Sequence, residues 1–99
     1  MSAEKTEKRL MAISRSEFLR SLTPLGKYYQ YRIDGDGERI VISDGPRSVE
    51  VHLGPETRQR LGALQMPAME VALVFHGFTQ EQLARFRSRF DLCFSRGGG

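Results

Sequence analysis

From Met69 onward the chain alternates: Met69, Val71, Leu73 and Phe75 fall on one side of an extended backbone and Glu70, Ala72, Val74 and His76 on the other, which predicts a strand. After Gly77–Thr79 the period changes. Leu83, Phe86, Phe90, Cys93 and Phe94 lie within an arc of roughly 100° on a wheel of 3.6 residues per turn, so a helix begins at Gln80 and must bury that face. Thr79 and Gln82 form a capping box at its start, and Gly97 supplies its C-cap.

Upstream, Ser14 and Glu17 are spaced as a second capping box, with Ile13 and Phe18 as a hydrophobic staple, which predicts a short first helix carrying Phe18, Leu19 and Leu22 and stopped at Thr23-Pro24. Three alternating stretches follow. Tyr29, Tyr31 and Ile33 oppose Tyr28, Gln30 and Arg32; Ile40 and Ile42 oppose Arg39, Val41 and Ser43; Val49, Val51 and Leu53 oppose Ser48, Glu50 and His52. Asp34-Gly35-Asp36-Gly37 and Asp44-Gly45-Pro46 supply the turns of an antiparallel meander. Pro55 and Gly62 bracket an expected helical segment, and residues 63–68 an expected loop. The pattern predicts an α+β fold: a four-stranded, mainly antiparallel sheet with an N-terminal and a C-terminal helix on one face. Residues 1–10, charged and aperiodic, are expected to be a flexible arm, 11–96 the single domain and 97–99 a flexible glycine tail.

Composition narrows the class. Ninety-nine residues suffice for one hydrophobic core without staples. The longest purely apolar run, Val71–Phe75, is far below the roughly 20 residues of a membrane span, so a soluble, unprocessed protein with no membrane contact is expected. One cysteine on an apolar helix face fits a reducing cytoplasm and an inert buried thiol. The net charge of +3 is unevenly spread: residues 10–78 balance, and most of the surplus comes from Arg85, Arg87, Arg89 and Arg96.

Candidate contact residues form two groups. Arg85, Arg89 and Arg96, with Leu92 between them, project from the helix side opposite Leu83 and suit phosphates or an acidic partner, although three phosphate contacts give a salt slope of only about −2.7 on duplex DNA. Tyr28, Val41 and Val74 are assigned to the sheet face that carries no helix, where a modest apolar patch suits a second copy of the chain. His52 and His76 share that face with Glu50, but no Cys-x-x-Cys or His-x-x-x-His spacing is present and no metal is expected. Asp34, Asp36 and Glu38 form a run too short for a calcium loop.

No nucleophile, base and oxyanion set is assembled, so no enzymatic activity, cofactor or small-molecule substrate is expected. The reading is a small non-enzymatic binding or accessory protein acting through protein–protein contacts or self-association as a homodimer. Weak nucleic-acid binding through the arginine stripe is the first alternative. A second comes from Arg96-Gly97-Gly98-Gly99, which resembles the glycine tails of ubiquitin-like proteins and sulfur carriers. That resemblance covers four residues and implies modification of the Gly99 carboxylate; it departs from those families in the helix that precedes the tail.

Overall fold

The computed structural model describes residues 4–35 and 37–94. Its elements run β1 (Glu4–Met11), α1 (Arg15–Ser21), a 3-10 turn over Thr23–Lys27, β2 (Gln30–Asp34), β3 (Arg39–Asp44), β4 (Arg47–Leu61), β5 (Leu64–His76) and α2 (Gln80–Phe94). The strands form one antiparallel sheet in the order β1-β5-β4-β3-β2. None of the helices among the described residues is long and apolar enough to cross a membrane.

Register turns the alternating pattern into a core. Ile42, Val49 and Phe75 line up in one cross-strand row and Ile40, Val51 and Leu73 in the next, all buried. Both helices cover this face, and α2 meets it with Leu83, Phe86 and Phe90. Phe86 stands edge-on to Phe75 with centroids 5.5 Å apart, and Phe94 stacks on Phe18 of α1 at 4.8 Å. Each buried phenylalanine stabilises the fold by about 1.5–3 kcal/mol relative to exposure. The caps are also in place: the Thr79 N–H donates to Gln82 Oε1 (2.9 Å) and the Gln82 N–H to Thr79 Oγ1 (3.2 Å), while the Glu17 N–H donates to Ser14 Oγ (3.2 Å).

The sheet has five strands, not four, and the extra one lies in the segment expected to be a loose arm. The core-side positions of β1 include Glu7 and Arg9, which are satisfied by ion pairs to α2 instead of by burial among apolar groups. Glu7 accepts from Arg87 Nε at 2.8 Å and from its Nη2, and Arg9 Nη1 donates to Asp91 Oδ1 at 2.7 Å. A strand held by charged pairs has no apolar alternation to betray it.

The helix expected after Pro55 is strand, and so is the loop expected at 63–68 apart from Ala63, which stays in a turn. β4 continues through a bulge between Leu53 and Glu56, where Pro55 is tolerated because its missing N–H interrupts no ladder bond. A Cβ at Gly54 would lie 3.3 Å from the Glu70 backbone oxygen, so a side chain there would press the two strands apart by a few tenths of an ångström. Arg15 secures this kink, its backbone N–H donating to Glu56 Oε1 (3.0 Å) and its guanidinium to the Gly54 carbonyl (3.1 Å). Beyond the bulge, Glu56–Leu61 pairs with Leu64–Met69 around a two-residue turn whose first residue, Gly62, has φ +62°, as a II′ hairpin requires.

Candidate functional site

Three surfaces bring chemistry-bearing side chains together. The first is the sheet face without helices. Register sets Arg32, Val41, Glu50, Val74 and Thr6 in one row across all five strands, so Val41 and Val74 flank a carboxylate and do not touch as an apolar patch. Glu50 is the hub. His52 Nε2 donates to its Oε1 at 3.2 Å, Arg39 Nη2 lies 3.5 Å from the same oxygen, and His76 Nε2 lies 3.3 Å from Oε2. Burial by itself would raise the Glu50 carboxyl; the hydrogen bond from His52 and the charges of Arg39, His76 and His52 outweigh it, and the group sits below the ordinary carboxylate value. The network continues through Asp34 to Arg32 and Arg39, and through His76 to Glu4. Among the described residues no group of three or more His, Cys, Asp or Glu side chains is disposed to hold a metal ion.

The second surface lies on the helix side. Tyr28 does not join the open face: the 3-10 turn carries the chain through Lys27 and β2 begins only at Gln30, which swings Tyr28 towards α2. There Arg89 lies 4.1 Å from the Tyr28 ring centroid and 5.6 Å from that of Tyr29, and its Nη1 donates to the Tyr29 hydroxyl at 3.3 Å. Stacking of this kind contributes about 0.5–1 kcal/mol at an exposed site and leaves the guanidinium partly engaged. Leu92 is 70% exposed beside this pair, and together with Pro24, Leu25 and Cys93 they line a small hollow. The structure thus joins Tyr28, Arg89 and Leu92, which the residue pattern had placed in two separate groups. Arg85 is exposed and makes no described ion pair or hydrogen bond; Arg96 and the glycine tail lie outside the described residues. Cys93 is half-buried, donates to the Arg89 carbonyl at 3.5 Å, and is pushed up by burial, so its thiol stays protonated at neutral pH.

The third surface is the distal half of the β4–β5 hairpin. β3 pairs with β4 only as far as His52, and β1 with β5 only as far as Met69, so residues 57–61 and 64–68 pair with nothing but each other. This ribbon elongates the molecule to 49 Å. On one face Leu61 and Leu64 oppose each other at the tip, 60% and 66% exposed, next to Gln59 and Met66; the other face carries Arg58 and Arg60. Sequence reasoning missed this surface. The available signal was Leu61-Gly62-Ala63-Leu64, a two-residue hairpin turn between apolar residues.

In comparison with known proteins, neither a protein-family model nor a curated relative matches the chain.

Proposed function

We propose that this chain is a small non-enzymatic binding protein acting through protein–protein contacts, and that the β4–β5 ribbon is the part it presents. One observation carries this reading: a projecting two-stranded ribbon with Leu61 and Leu64 exposed side by side at its tip. A two-stranded hairpin standing alone is marginally stable in water, and adjacent exposed leucines gain free energy when a partner covers them. The arginine stripe supports nucleic-acid binding less well, because Arg89 already stacks on Tyr28 and Arg85 is the one stripe member left unengaged among the described residues. A single phosphate contact changes affinity with a salt slope of only about −0.9.

The test compares this chain, immobilised, with its Leu61→Ser/Leu64→Ser variant in extracts of the native host. Both positions are exposed, so the variant should fold with a circular dichroism melt close to the parent's. A protein retained by the parent and lost with the variant is the expected result. Equal retention by both, or none by either, overturns the assignment.

A further inference from the structure

We infer that the outer edge of β1 is built to pair with the same edge of a second copy of this chain, antiparallel, about a two-fold axis through Thr6. β1 ends the sheet, with β5 on one side and its other backbone edge unpaired among the described residues. The first five of its eight residues read Glu4, Lys5, Thr6, Glu7, Lys8. With the axis at Thr6 and normal to the sheet, Glu4 lies opposite the partner's Lys8, Lys5 opposite the partner's Glu7, and Thr6 opposite the partner's Thr6. The symmetry repeats the two charged pairs, as an isologous interface requires.

Every charge in this stretch therefore meets its opposite, and threonine meets threonine, another favourable cross-strand pair. Neighbouring registers lack this property. Moving the axis to Glu7 sets that carboxylate against its own copy and Lys5 against the partner's Arg9, whereas moving it to Lys5 or Lys8 opposes two lysines. The other free edge, β2, fares worse: the register that pairs all of Gln30–Asp34 opposes Arg32 to the partner's Arg32. Charge pattern thus selects one edge and one register.

The surroundings leave room for this pairing. Glu4, Lys5 and Lys8 are exposed, and Lys5 and Lys8 make no described ion pair. Parity keeps both helix layers on one side of the extended sheet. On the flank of α2 that leans over β1, the exposed residues nearest to Arg87 and Asp91 among those described are Ala84 and Ser88, too small to obstruct a neighbouring helix.

Sedimentation velocity of the full chain over a concentration series tests this, using Lys8→Glu, Glu4→Lys and the double swap E4K/K8E. The parent should show a monomer–dimer equilibrium. Each single reversal removes two attractive pairs from the symmetric interface, and the dimer should weaken about 2- to 30-fold; the double swap restores opposition and should recover it. Lys8→Glu is the cleaner single change, since Glu4 also lies 3.7 Å from His76. A parent that stays monomeric throughout overturns the inference and leaves the lysines as guards against edge pairing. So does a dimer indifferent to the single reversals, or one not rescued by the swap. Leu61→Ser/Leu64→Ser should dimerise like the parent, which separates this edge from the ribbon.

Discussion

Glu7 shows how a charged residue can hold a strand. Its carboxylate is mostly covered, and the hydrogen bonds from Arg87 pull its pKa below the ordinary 4.5 despite the opposing cost of burial, with Arg87, Arg9 and Lys5 adding favourable charge. A carboxyl with a depressed folded pKa adds stability above the unfolded value, and that stability is lost as pH falls through the folded value. Arg87→Ala should therefore cost about 1 kcal/mol at pH 7, allowing for solvent screening at the part-exposed guanidinium. The deficit should shrink below pH 4.5, and urea melts at pH 7 and pH 3 measure it. A deficit that does not change with pH would mean that Arg87 acts by packing alone. None of this was legible in residues 1–10, because an ion pair between positions 80 apart in the chain leaves no local period.

Among the elements, α2 and β4 lie at opposite ends of legibility. The capping box, apolar arc and buried phenylalanines of α2 all point to one conformation, so pattern and structure agree. Thr79→Ala removes one arm of the box and should cost about 1 kcal/mol, a fall in Tm of roughly 4–8 °C for a domain of this size. A thermal melt unchanged by the substitution would show that the helix start is held by packing and not by its cap. β4 beyond Leu53 offered no such agreement. Pro55 and Gly62 are punctuation that a helix start and stop would share with a bulge and a hairpin turn, and Glu56–Leu61 has no apolar period to choose between them. Pairing with Leu64–Met69 decided it.

At the scale of the whole molecule, stability should be graded along the long axis. Val71–Phe75 lies between two strands and under α2, whereas residues 57–61 and 64–67 have one partner strand and solvent on most sides. Amide hydrogen exchange should be slowest in the first segment and fastest in the ribbon, differing by orders of magnitude. Uniform protection across β5 would mean that the ribbon is as firmly held as the core. A tip that opens readily suits a contact surface, since it can adapt to what covers it.

The chain's own order of residues determined which side of each central strand is apolar, where both helices start, and the α+β class, because these follow from periods of two and 3.6 and from caps spanning three residues. Only tertiary structure decided the rest. The fifth strand depends on charges meeting across the fold, the ribbon on strand pairing past a bulge, Tyr28 on the swing of a 3-10 turn, and the hub at Glu50 on register among neighbouring strands. Each is a contact between residues distant in the chain, which local periodicity does not encode.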